Sequence, residues 1–168
     1  MKSKLLVFVL FIFSISIYGQ EFVNGTIITK RYDTIANVKI KDINDAKSLL
    51  HLTYIDADGK EHNPDIASIK CYSRGTDIFC RIYSSGEMIM VKQITKGKKL
   101  NLYLKESNGS KTYYVEKVYD ECIKVPSSSG KFKKVLSAFL SESPEIAAKI
   151  QSKELQDINE IVNLYIES

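Results

Sequence analysis

The sequence predicts an α+β fold dominated by β-structure: an antiparallel meander sheet, open or rolled toward a barrel, followed by two or three short C-terminal helices. Three observations predict it. Short β-branched and aromatic runs with period-2 alternation recur up to residue 126, each bounded by a cluster of Gly, Asn, Asp or Ser. Two pairs of these runs fold onto each other in registers that sort side chains by polarity. After Pro126-Ser127-Ser128-Ser129-Gly130 the apolar period changes from two to about 3.6.

The stretch Ile66 to Tyr83 carries the first register. With Gly75-Thr76 as a two-residue turn, Arg74 faces Asp77, Ser73 faces Ile78, Tyr72 faces Phe79, Cys71 faces Cys80 and Ile69 faces Ile82. Ile69, Cys71, Ile78, Cys80 and Ile82 then share one face, and Lys70, Tyr72, Phe79 and Arg81 the other. The second register runs across Ser107-Asn108-Gly109-Ser110, where Asn-Gly supplies the positive φ of a tight hairpin. It sets Leu104 opposite Tyr113, Tyr103 opposite Tyr114 and Leu102 opposite Val115.

The remaining elements follow in order. Phe22 to Thr29 and Thr34 to Lys41 form a first hairpin, Ile43 to Lys47 a polar connection, and Leu49 to Ile55 a third strand. Asp58-Gly59 turns the chain into a return strand from Glu61 to Asn63, and Pro64, which cannot donate to a ladder, breaks it. Glu87 to Ile94, Leu100 to Lys105, Thr112 to Val118 and Cys122 to Val125 complete the sheet. Phe132, Val135, Leu136 and Phe139 make one helical stripe. Ser143-Pro144 opens a second helix as N-cap and first-turn proline. Asp157 and Glu160 resemble a capping box for a third helix carrying Ile158, Ile161, Val162 and Tyr165. Stripes this short are unstable alone, so these helices must dock on the sheet.

The chain divides into three parts: residues 1–19, 20–126 and 127–168. Lys2 and Lys4 precede an apolar run from Leu5 to Ile17, and Gly19 follows, which reads as a signal peptide cleaved before Gln20. The run is about 13 residues, too short to span a bilayer. Removing it takes the formal net charge from +4 to +2. So small an excess gives no electrostatic case for nucleic acid, and no second apolar segment is long enough to cross a membrane. The expected location is periplasmic or secreted.

At the start of the mature chain, Gly25 to Thr29 precede Asp33-Thr34-Ile35, and Asp58-Gly59-Lys60 leads to Pro64-Asp65-Ile66. The ending carries Phe139-Leu140, Ser143-Pro144-Glu145, Lys149-Ile150, Asp157-Ile158, Ile161-Val162 and Tyr165. In these features the chain resembles a family of small exported proteins widespread in Bacteroidota-type bacteria and without an assigned function. The resemblance implies a β-rich exported domain with a helical tail. It carries over no catalytic or binding residue.

Candidate chemistry is sparse. Cys71 and Cys80 fall on a non-hydrogen-bonded pair, where Cα atoms sit about 4.5 Å apart, within reach of a disulfide. Two reduced cysteines serving as small apolar residues are the other reading. Cys122 is left as a free thiol with no activating neighbour in local sequence. His62 lies near Asp56, Asp58, Glu61 and Asp65, yet the spacing matches no calcium loop and reads as an acidic hairpin tip. No phosphate loop, HExxH, GxSxG or CxxC occurs, so neither a catalytic residue nor a cofactor is expected. Asp33-Thr34-Ile35 resembles an O-glycan acceptor sequence. Tyr72, Phe79, Tyr83, Tyr103 and Tyr114 are assigned to the face away from the aliphatic side chains. They form either a ligand or partner surface or a second core layer under the C-terminal helices. The expectation is a non-enzymatic envelope or secreted module binding a protein, glycan or apolar ligand; the alternative is a barrel-type carrier of an apolar molecule.

Overall fold

A computed structural model describes residues 21–118 and 120–167; the expected signal peptide lies outside them. Ten antiparallel strands form one sheet that does not close on itself. They are β1 (Phe22–Thr29), β2 (Thr34–Lys41), β3 (Tyr54–Ile55), β4 (Glu61–His62), β5 (Ile69–Arg74), β6 (Asp77–Ser84), β7 (Glu87–Lys96), β8 (Leu100–Ser107), β9 (Ser110–Lys117) and β10 (Cys122–Lys124). Their order is β10-β9-β8-β7-β6-β5-β1-β2-β3-β4. The chain lays down β1 to β4 as one meander. It then returns through a 3-10 turn at Ile66–Ser68 and starts a second meander with β5 beside β1. The helices are α1 (Asp45–Ser48), α2 (Ser129–Phe139), α3 (Pro144–Gln151) and α4 (Ile158–Glu167).

Both registers read from the sequence are present. Cys71 pairs with Cys80 and Tyr72 with Phe79; Leu104 pairs with Tyr113 and Tyr103 with Tyr114. Asn108 and Gly109 take φ of 50° and 75°, as a type I′ turn requires. The expected Ile69–Ile82 pair is absent from the β5–β6 ladder. A bulge explains it: Ile28 and Thr29 of β1 face Cys71 and Ile69, leaving Lys70 as the extra residue. The bulge breaks the alternation, and Ile69 joins Tyr72 in the core.

The expected third strand, Leu49 to Ile55, shrinks to Tyr54–Ile55. Asn44 caps the preceding residues into the single turn α1, its Oδ1 accepting from the Lys47 amide at 2.9 Å. Leu49 and Leu52 then descend onto the sheet instead of alternating along a strand. At the other end, α3 begins at Pro144 as expected, but the Ser143 hydroxyl makes no capping bond. Asp157 does cap α4, accepting from the amides of Asn159 (2.8 Å) and Glu160 (3.1 Å).

Directly opposed residues share a face, so the ladders define the layers. Phe79 pairs with Lys92 and Lys92 with Leu104; Ile78 pairs with Gln93 and Gln93 with Tyr103. The front face therefore carries Tyr72, Phe79, Leu102, Leu104 and Val115. The back face carries Cys71, Ile78, Cys80, Ile82, Val91, Tyr103 and Tyr114. On the front, Tyr72 and Phe79 stack with ring centroids 4.8 Å apart, among Ile27, Val38, Ile40, Leu49 and Leu52. Also on the front, α2, α3 and α4 cover Leu100, Leu102 and Val115 with Leu136, Leu140, Ile150, Ile161 and Val162. On the back, β6 to β10 curl until the Ser84 hydroxyl donates to the Cys122 carbonyl at 3.1 Å. Ile82, Val91, Tyr103 and Tyr114 fill the curl.

The helical layer fits the sheet closely at the β7–β8 turn. A Cβ on Gly97 would meet Cδ1 and Cγ1 of Ile166 in α4 at 2.6 and 2.7 Å, and the Leu100 carbonyl at 2.7 Å. Gly97→Ala should therefore push α4 outward and cost about 1–3 kcal/mol. Urea denaturation reads this as a lowered midpoint; an unchanged midpoint would mean that α4 does not seat there.

Candidate functional site

The most heavily charged cluster centres on Arg74, at the end of β5 on the front face. Its side chain is 6% exposed. The guanidinium donates to Asp45 Oδ1 (2.7 Å), Asp77 Oδ2 (3.2 Å), the Ser48 hydroxyl and the Ile43 carbonyl, with Asp42 at 3.4 Å. Lys92 of β7 completes the cluster, reaching Asp45 Oδ2 (2.8 Å) and Asp77 Oδ1 (3.0 Å). Burial opposes the charge on each of these groups, and the partners overcome it. Asp45 is held below the usual carboxylate range against burial, by hydrogen bonds from Lys92 and Arg74. Both cations are held above their usual values against burial, chiefly by the hydrogen bonds they donate to Asp45 and Asp77. The Tyr72 hydroxyl donates to the Ser48 carbonyl at 2.6 Å, and burial pushes its titration upward. Each charged group here answers another. The cluster clamps the α1 segment onto β5, β6 and β7; it offers no poised acid or base.

The five aromatic residues expected to share a face do not. Tyr72 and Phe79 lie on the front in one core, Tyr103 and Tyr114 on the back in another, and Tyr83 is 63% exposed near the β6–β7 turn. The alternation within each hairpin is as expected; the relation between the hairpins is set by β7, which pairs Tyr103 with the residue opposite Ile78. The front aromatics are covered by the α1 segment, while the C-terminal helices cover the leucine row of β8. On the back, Tyr103 donates to Glu116 Oε2 at 2.6 Å.

Cys71 and Cys80 lie at disulfide distance with Cα atoms 4.1 Å apart. Both are half-buried on the back face beside exposed Ile78. Cys122 is a free thiol inside the curl, where burial pushes it up to about 12. At neutral pH it is not a thiolate nucleophile. His62 stacks on Tyr54 at 4.8 Å and bonds Asp56 Oδ2 through Nε2 at 2.6 Å. The other Asp56 oxygen accepts from the amides of Asp58 and Lys60. Among the described residues no three His, Cys, Asp or Glu side chains converge as metal ligands. No helix among them is long and apolar enough to cross a membrane.

Where β10 ends, a cleft of about 440 Å³ opens between β9, the β10–α2 connection, α2 and the start of α4. Tyr113, Phe132 and Ile158 supply apolar and aromatic surface; Lys111, Lys133 and Asn159 supply polar groups. The volume lies within the roughly 300–1,000 Å³ of typical ligand pockets. Nothing in the local sequence marks these residues, because they meet only after α2 and α4 fold back over the sheet edge. The one available signal is Pro126, whose missing N–H ends the last strand.

The fold and its cleft define a class by architecture: an open antiparallel sheet with a helical layer over one end. No family model matches the chain, and no curated protein or solved structure matches it.

The Arg74 clamp has a pH signature. Because folding depresses the Asp45 titration, its contacts stabilise fully above the unfolded value near pH 4. They are lost as pH falls through the lower folded value. Asp45→Asn should be less stable than the parent at pH 7 and should lose less stability on acidification. Denaturant midpoints between pH 7 and pH 2.5 check this; parallel curves for the two proteins would contradict it.

Proposed function

We propose that this chain is an exported, non-enzymatic module of the envelope or the secreted fraction, and that it binds a protein or glycan ligand at the cleft beside β9. The cleft carries the reading: aromatic rings line its open space and its lysines keep only exposed contacts, Lys111 with Glu106 and Lys133 with the Gln151 carbonyl, whereas the charged groups of the Arg74 cluster are spent on one another. Aromatic surface with a few oriented polar groups is what peptide and glycan sites need. Export is supported by the facing Cys71 and Cys80, since disulfides persist in oxidising compartments. The apolar Leu5–Ile17 run behind Lys2 and Lys4 supports it as well. The packed interior of the β6–β10 curl favours a binding module over a carrier of apolar cargo.

The test has two parts. Expressed with its own leader in a bacterial host, the full chain should appear outside the cytoplasm with a mass starting at Gln20. In denaturant it should carry one alkylatable thiol without reductant and three with it. Retention in the cytoplasm with three free thiols would overturn the export reading. Isotope-labelled mature protein titrated with peptide and oligosaccharide panels should then show amide shifts grouped at Tyr113, Phe132 and Asn159. Shifts grouped elsewhere would overturn the site.

A further inference from the structure

The cleft lies against a stretch of strand edge that the fold leaves unpaired. Counting from the type I′ turn, Ser110, Thr112, Tyr114 and Glu116 turn their backbone groups toward β8, and Lys111, Tyr113, Val115 and Lys117 turn theirs outward. β10 serves only part of that outer row. Glu121 accepts from the Lys117 amide at 3.0 Å, Ile123 pairs with Val115, and the Val125 amide donates to the Tyr113 carbonyl at 2.9 Å. Pro126 then takes the chain away toward α2. Among the described residues, the Tyr113 amide and both backbone groups of Lys111 have no partner on this side. They face the cleft, two residues apart, at the spacing of a strand ladder.

We propose that the open end of β9 receives an extended peptide segment of a partner protein, added as a short strand where β10 leaves off. This rests on reading the cleft as the binding site. The segment places an apolar side chain among Tyr113, Phe132 and Ile158 and an acidic one toward Lys111 and Lys133. Charge selects the acidic residue: the cleft is lined by these two lysines against a single carboxylate, Asp157, which already accepts from two α4 amides, while Lys111 holds Glu106 only at the exposed strand end (3.4 Å) and Lys133 only the exposed Gln151 carbonyl (3.3 Å). Backbone geometry selects a peptide over a sugar, because alternating N–H and C=O groups match the Lys111 and Tyr113 row and a saccharide has no such repeat.

The probe is a pool of acetylated, amidated heptapeptides alternating Val or Ile with Glu or Asp, titrated into isotope-labelled mature protein. The controls are the same pool N-methylated at alternate residues, and neutral oligosaccharides. The expected result is slowed hydrogen exchange at the Lys111 and Tyr113 amides with the first pool, and at least tenfold weaker binding of the N-methylated one. Lys111→Pro removes an outward N–H together with the Lys111 ammonium and leaves the β8–β9 ladder its partners; it should abolish peptide binding with distant amide shifts unchanged, whereas Lys111→Ala, which loses the ammonium and keeps the N–H, should only weaken it. Lys133→Glu, which leaves the β9 edge intact and releases only the exposed Gln151 carbonyl, should weaken binding at least several-fold. Equal binding of the N-methylated pool, or binding that survives Lys111→Pro, would overturn strand addition. Oligosaccharide shifts in the cleft without peptide binding would overturn strand addition and leave the cleft reading standing. Silence of the cleft toward every probe would overturn both.

Discussion

Lys92 stands opposite Phe79 on one side and Leu104 on the other, and that parity across β7 decides what every layer of the protein contains. It places the aromatic pair of the β5–β6 hairpin and the leucine row of β8 on the same side of the sheet. Two covers can then share that side, the α1 segment over Tyr72 and Phe79 and the three C-terminal helices over Leu100 and Leu102. Shift β7 by one residue and Tyr103 would take the helix-facing position, Leu102 would turn into the curl, and Lys92 would leave Asp45. A bulge in β7 between Gln93 and Thr95 accommodates the same parity to the twist of the neighbouring strands.

The Arg74 clamp depends on this arrangement. Arg74 and Lys92 come from β5 and β7 but point to one face, so one carboxylate, Asp45, can bridge both. Arg74 is the buried member, and removing one partner of a buried ion pair typically costs about 3–5 kcal/mol. The clamp therefore holds a short, intrinsically weak segment where it covers the aromatic core. A helix of one turn has no stability of its own. Its position is set by Asn44 at one end and by ion pairs to distant strands.

Some of this was legible in the sequence, for physical reasons. Hairpin registers follow from turn chemistry and alternation, both local, and so Cys71 against Cys80 and Leu104 against Tyr113 could be read from the residues between them. The relation between two hairpins is not local. It depends on how β7 bulges between them, and the expected aromatic face failed there. The run from Leu49 to Ile55 looks like a strand because its leucines and tyrosine could alternate; Asn44 and the reach of Arg74, 29 residues downstream of Asp45, override that tendency. The cleft was least legible of all, since it exists only where β10 stops short of β9 and the helices return over the gap.

The parity of β7 can be measured directly. In non-hydrogen-bonded antiparallel pairs the α-protons of opposed residues lie close together, and Phe79 and Lys92 form such a pair. A nuclear Overhauser spectrum of the protein should show a strong contact between their α-protons, alongside one between Cys71 and Cys80. A contact from the Phe79 α-proton to that of Val91 or Gln93 would contradict the account.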